Sequence, residues 1–394
     1  EKYRNRSMKL RKDKWIDVPI GKICETTSGG TPLRSNYDFY NGNIPWIKSG
    51  ELHNKYVYSS EETITESGLK NSSAKLFPPN TVLIAIYGVT SGTSAILKVE
   101  AATNQAVCGI FPNDEKLNEE FLYSVLNFKK EEIFKRRVGT YQLNVSQAII
   151  RETIIPLPPL EEQKQIAALF QSIETAMEQV DGQEKRLKQL KNKLLGDLFS
   201  EKKVLGNHLK ENDFEKLRFE KIAFQISERE EPKQTTLQTY VGLEHLEPDN
   251  LVIERTGKPS DVIGTKLKIY KGDIIFGKRR AYQRKVAISH FDGIASAHSM
   301  ILRANEKMIE KDFLPFFMQS DEFMNRAVQI SEGSLSPTIK WKTLAQQEFT
   351  LPKKEKQKEL VAVFKQFDKT REHLKQQKAT LKLLKQKLLN EILG

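Results

Sequence analysis

Cysteine is scarce in this chain: Cys24 and Cys108 are the only two among 394 residues. So few, so far apart, build neither a disulfide framework nor a zinc site, and they read as reduced core thiols of a cytoplasmic protein. The six histidines do not cluster at ligand spacings, so no metal site is expected. Long apolar runs are missing too. The longest, TVLIAIYGV at residues 81–89, falls short of the roughly 18–20 residues a membrane span needs and reads as a buried strand. No G-x-x-x-x-G-K-[ST] loop is present for a nucleoside triphosphate. An adenine methyltransferase needs an Asn/Asp-Pro-Pro-aromatic loop, and the nearest string, FPPN at 77–80, lacks both the acceptor residue and the aromatic. Pro248-Asp249 followed by Glu254 outlines a nuclease metal site only faintly, since Thr256 stands where a catalytic lysine belongs. The absences point away from catalysis.

What the chain has in excess is positive charge. A formal net charge of +12 and a pI near 9.3 favour a polyanionic partner, nucleic acid or an anionic membrane surface. Charged residues make up 29% and hydrophobic ones 38%, a balance that fits compact domains joined by long solvated helices. The surplus is uneven: residues 353–394 hold 12 Lys/Arg against 5 Asp/Glu, whereas residues 160–200 hold 6 against 7.

The chain is also written twice. Shifted by 194 residues, Leu157–Phe199 matches Leu351–Leu393 at 16 of 43 positions, against roughly 3 for unrelated sequence. Upstream the copies agree loosely, WIKSGEL (46–52) with YVGLEHL (240–246) and NTVLIAIYG (80–88) with KGDIIFGK (271–278). The period is too long for a solenoid and describes two copies of one large unit. Short β-branched runs punctuated by Gly, Pro, Asn and Ser, with a few helical stretches, predict an α+β fold for each globular part. The boundaries expected are a first domain over 1–157, a helix over 158–200, a second domain over 201–352 and a second helix over 353–394.

Both helices carry heptads. Ile166, Ile173, Val180, Leu187 and Leu194 recur every seven residues with Phe170 between, and Leu360, Phe367, Leu374, Leu381 and Leu388 keep the same rhythm with Phe364. A sustained even step of seven predicts a coiled-coil seam, because a straight helix drifts about 20° per heptad. Domain ends usually lie close together, so the second helix should run back along the first, antiparallel. A helix of about 40 residues spans roughly 60 Å, which predicts a rod with a domain at each end about an approximate two-fold axis. Two non-identical domains so held suit a duplex with two half-sites.

The PLPPLEEQKQIA segment heading the first helix, the opening KWIDVPIGKICETTSGGTP, the IPWIKSGEL segment and the half-to-half repeat together resemble the specificity (S) subunit of Type I restriction–modification systems, the HsdS family. The resemblance covers essentially the whole chain. It implies two target-recognition domains, each reading half of a bipartite site in double-stranded DNA, and helices that set the spacer and dock partner subunits. It implies further that the chemistry resides in methyltransferase (M) subunits, two of them expected, with restriction (R) subunits as further partners. No cofactor is then expected on this chain, with AdoMet, ATP and Mg on the partners. The second copy departs from the pattern, with LPKKEKQKE for the Pro-Pro-Leu-Glu-Glu form and no clear GGTP counterpart. Two other readings remain: a subunit contributing catalysis in a fused enzyme, and a two-headed protein-binding scaffold.

Candidate DNA contacts come from loops. GKRRAYQRK (277–285) gathers Lys278, Arg279, Arg280 and Arg284 around Tyr282 and Gln283, and arginine and glutamine can grip guanine and adenine bidentately. The matching YGVTSGTS (87–94) offers Tyr87, Thr90 and Ser91 beside backbone amides able to approach phosphate. GTYQLNVS (139–146) and GSLSPTIKW (333–341) correspond in the repeat and add Thr140, Gln142 and Asn144, and Ser336 and Lys340; Thr31 and Arg34 flank the GGTP turn.

Overall fold

Each half of the chain opens on a strand that finds its partner at the far end of the same half. Ile16–Pro19 pairs antiparallel with Ile154–Leu157, and Phe214–Arg218 with Glu348–Pro352. The computed structural model describes residues 10–137, 144–199 and 209–394. The chain divides into two compact units, Glu1–Gln179 with Gln377–Gly394, and Val180–Gln376.

The two units share one plan. In the first, a five-stranded sheet runs in the order Glu25–Ser28, Val107–Phe111, Val82–Ala85, Ser94–Leu97, Tyr56–Val57. In the second, a four-stranded sheet runs Ala223–Ile226, Met300–Ala304, Ile274–Phe276, Val286–Ile288. A further four-stranded sheet accompanies each. In the first unit it pairs Tyr40–Ile47 in parallel with Ala101–Thr103, and in the second Tyr240–Val241 in parallel with Gly293–Ala295. The apolar run at 81–89 supplies the central strand Val82–Ala85, whose residues are all buried. The GGTP turn is a packing device: a side chain on Gly29 would collide with Thr103, and one on Gly30 with Ser73. Cys24 and Cys108 are buried free thiols, and burial pushes them up to about 11 and about 12.

Two 40-residue helices, Leu160–Phe199 and Lys354–Leu393, contribute to both units, each unit holding one half of each helix. In the first unit Ile166 and Phe170 join Leu389, Ile392 and Leu393 in one core with the sheet residues Val82, Ile84 and Ile110. In the second, Leu195 and Leu198 join Val361 and Phe364 in a core with Phe276, Phe317 and Phe349. Low positions of one helix thus meet high positions of the other, so the helix segments run antiparallel within each unit. Of the heptad positions, Ile166, Phe170, Ile173, Val180, Phe364 and Leu374 are buried, while Leu187, Leu194, Leu360, Phe367, Leu381 and Leu388 are half-buried. The helix ends therefore do more than zip together; they complete the globular cores.

Ion pairs repeat the same logic. Lys385 Nζ meets Glu174 Oε1 at 2.6 Å in the first unit, and Lys191 Nζ meets Asp368 Oδ1 at 2.8 Å in the second. Glu174 and Asp368 are repeat equivalents, as are Lys191 and Lys385, so one pair of sequence positions is used twice with the helices exchanged. Burial pushes the Glu174 carboxyl up, but hydrogen bonds and charge from Lys385 and Lys55 outweigh it and hold the group below its usual range. Burial draws the Lys191 ammonium down, against the pull of Asp368.

The proline-led junctions are closed by a buried glutamine. Gln163, fully buried, accepts from the Asn118 amide through Oε1 (2.9 Å) and donates through Nε2 to the carbonyls of Lys116 (2.9 Å) and Pro158 (2.8 Å). Its repeat equivalent Gln357 accepts from the Glu310 amide (2.7 Å) and donates to the Pro352 carbonyl (2.8 Å). Replacing Gln163 with leucine keeps the volume and orphans these backbone groups, at ~1–3 kcal/mol for each one left unsatisfied. A loss of about 3 kcal/mol in urea-unfolding stability is expected; a variant within 0.5 kcal/mol of wild type, roughly the scatter of neutral surface changes, would show that water replaces the side chain freely.

Candidate nucleic-acid interface

The basic run of the second unit follows strand Ile274–Phe276 and bends through a short turn at Ala281–Gln283. Arg280 (φ 58°) and Arg284 (φ 55°) bracket that turn in the left-handed region, a conformation costing an L-residue roughly 1–2 kcal/mol. The loop over 331–340 is stitched to it. The Arg280 amide donates to the Pro337 carbonyl (2.8 Å), and the Ile339 amide donates to the Lys278 carbonyl (3.0 Å). Arg280 Nη2 adds a bond to Ser336 Oγ at 3.3 Å. Two segments that are far apart in sequence thus present Lys278, Arg279, Arg280 and Ser336 together. Lys340 lies beside them, paired with Glu332 at 2.6 Å.

Further cations converge from elsewhere. Arg279 Nη1 lies 3.1 Å from His298 Nε2. Burial lowers the His298 imidazole, and the charges of Arg279, Lys278 and Lys266 add to it. Burial likewise lowers Lys278, helped by Arg229. Arg229 and Lys266 sit on neighbouring strands of the second sheet, where Arg229 pairs with Leu267. These groups feel one another's positive charge, and among the described residues no carboxylate forms an ion pair with Lys278, Arg279 or Arg280. The result is a basic patch in which Lys278, Arg279 and Arg280 have no carboxylate partner among the described residues, with Tyr282 exposed at its turn. Sequence reasoning missed Arg229, Lys266 and His298, because only tertiary structure brings them to the run.

Arg284 belongs to the same run but faces another way. Its guanidinium is held by Asp249 (2.9 Å), Asp321 (2.8 Å) and the Gln319 carbonyl (2.6 Å). Gln283 is half-buried. The nuclease-like carboxylates are similarly engaged, Asp249 with Arg284 and Glu254 with Lys375 at 2.6 Å. Among the described residues no group of three or more His, Cys, Asp or Glu side chains could hold a metal ion.

In the first unit the equivalent stitch recurs: the Val145 amide donates to the Ile86 carbonyl (2.9 Å), and Val145 is the repeat equivalent of Ile339. The adjoining turn Gly88–Thr90 is small and uncharged. Tyr87 stands half-exposed at its start, Thr90 Oγ1 approaches the Tyr87 carbonyl (3.5 Å), and the buried Ser91 hydroxyl donates to the Gly88 carbonyl (2.7 Å). Asn144 is half-buried, while Thr140 and Gln142 lie outside the described residues. Thr31 donates to Gln105 Oε1. The Arg34 guanidinium lies 4.7 and 4.8 Å from the ring centres of Tyr40 and Trp46 and bonds Glu62 at 2.5 Å. Neither joins the 86–93 turn through a hydrogen bond.

Comparison with known proteins places these features in context. The family model described as the Type I restriction modification DNA specificity domain matches residues 12–191 and 249–383. The chain is 27% identical to the EcoR124I/EcoR124II specificity subunit of Escherichia coli over 44% of this chain and 44% of that protein. It is 30% identical to the MjaIX specificity subunit of Methanocaldococcus jannaschii over 48% and 45%. These matches span less than half of either relative's length; the MjaVIII specificity subunit of the same archaeon aligns over 96% of this chain and 92% of its own, at 22% identity. Among solved structures, a chain from work on assembly and conformational transition of the type I R-M system superimposes over 97% of this chain with TM-score 0.65 and 18% identity. The S subunit from M. genitalium covers 99% at TM-score 0.58 and 16% identity. At these identities the structural likeness shows the fold. No helix among the described residues is long and apolar enough to cross a membrane.

Proposed function

We propose, since this chain belongs to the family of the Type I restriction modification DNA specificity domain, that it is the non-catalytic specificity subunit of such a system. Each unit reads one half of a bipartite site in duplex DNA, and the paired helices set the spacer and dock methyltransferase subunits, two of them, with R subunits joining in systems that cleave. AdoMet, ATP and Mg belong to those partners, and the complex works in the cytoplasm. One observation carries the reading: the same stitch between a strand-end turn and a distant loop recurs at repeat-equivalent positions, Val145 to Ile86 and Ile339 to Lys278. It gives one chain two reading surfaces whose side chains differ, as two different half-sites require. The uncompensated cations of the second supply the phosphate attraction that positions a duplex.

The test uses the full chain, labelled AdoMet and a duplex pool, with and without the M subunit. Methyl transfer is expected only with the M subunit, and log affinity should fall steeply with log salt. Transfer by the isolated chain would establish a catalytic subunit, and salt-independent binding a protein scaffold.

A further inference from the structure

We propose that Leu335 is a wedge that the second unit inserts between two base pairs of its half-site, unstacking one step. The inference rests on the DNA-reading function above and names a residue for it. Leu335 is 92% exposed, the most exposed large hydrophobic among the described residues. A lone exposed leucine is ordinary on a protein surface, so what matters is how this one is held. Glu332 and Thr338 exchange both backbone hydrogen bonds, at 3.0 and 2.9 Å, closing the loop around it. Gly333 takes φ +106°, which a side chain would resist. The flanking Ser336 and Pro337 are bonded to Arg280, and Thr338 Oγ1 donates to the Ser336 carbonyl (3.1 Å). An apolar side chain is therefore carried at the tip of a loop whose backbone is braced, next to Ser336 and its bond to Arg280, a cation that no carboxylate among the described residues pairs with.

That combination matches the energetics of side chains that pry bases apart. Unstacking costs a few kcal/mol per step, and it is offset by burial of the wedge and by the phosphates that a bent duplex brings to the protein. Neutral protein partners would leave Lys278, Arg279 and Arg280 desolvated and unpaired, whereas a duplex answers both the charge and the apolar tip. The repeat supplies a second, independent sign: the position equivalent to Leu335 in the first copy is Tyr141, again a large side chain able to pack against bases. Tyr141 itself lies outside the described residues.

The experiment starts from a duplex selected out of a randomised pool by the full chain, with 2-aminopurine placed in turn at each step of the half-site. Wild type should raise fluorescence at one step. L335A should lose that signal and bind the selected duplex about tenfold more weakly or worse, with an unchanged salt slope because the cations remain. L335M should keep the signal. A mismatch at the same step, already unstacked, should restore most of the affinity lost by L335A. Equal fluorescence and affinity for wild type and L335A overturns the wedge. So does a loss that L335M shares or that flattens the salt slope, since either means the loop has collapsed. If wild type selects no duplex with a steep salt slope, the DNA-reading function itself fails, an outcome distinct from loss of the wedge alone.

Discussion

Replacing Lys278, Arg279 and Arg280 together with alanine should weaken duplex binding by about 100-fold near physiological salt and flatten its salt dependence. Each phosphate neutralised contributes roughly 0.9 to the slope of log affinity against log salt, so removing three cations should lower it by about 2.7. No carboxylate among the described residues pairs with these three, so their charge is available to a ligand. Arg284→Ala makes the contrast. Its guanidinium already bridges Asp249 and Asp321, so its loss should lower the stability of the second unit while leaving the salt slope nearly unchanged. Titration across a series of salt concentrations, with circular dichroism as a check on folding, separates the two. An unaltered slope in the triple variant would mean that DNA meets another surface.

The second large effect concerns stability. Phe170 and Phe364 are repeat equivalents, essentially fully buried, one in the core of each unit. Phe364 packs against Phe316 with ring centres 5.1 Å apart. Truncating either to alanine should cost about 3–5 kcal/mol, the usual range for emptying an aromatic site in a core. Hydrogen exchange should place the loss of F170A within 10–179 and 377–394, and that of F364A within 180–376. Uniform deprotection of the whole chain by either variant would contradict the division into two cores.

The helices were the most legible elements, because a seven-residue rhythm over 40 positions is a local signal that packing does not override. Their antiparallel course followed from connectivity alone. The use of their ends was less visible: Leu389, Ile392 and Leu393, which are not among the heptad positions read from the sequence, lie in a core built with sheet residues such as Val82 and Ile110. The sheets were legible as β-rich composition and not as pairings. Tyr240–Val241 runs parallel to Gly293–Ala295 because of contacts far outside any local window. At the interface the contiguous run 278–280 announced its charge. Arg284, four residues on from Arg280, points to Asp249 and Asp321 because two left-handed residues turn the chain between them. No pattern of residue types specifies that turn.

The division of the chain also sets an order in time. The first unit needs Gln377–Gly394, including Leu389, Ile392 and Leu393, whereas the second is one unbroken stretch from Val180 to Gln376. On a ribosome adding about 5–20 residues per second, the half encoded later can finish folding first. The half made first must wait, with Ile166 and Phe170 short of their partners, until Leu389, Ile392 and Leu393 emerge. Losing Leu389, Ile392 and Leu393 would therefore damage the core around Ile166 and Phe170, some two hundred positions earlier, and not the unit that directly precedes them in sequence.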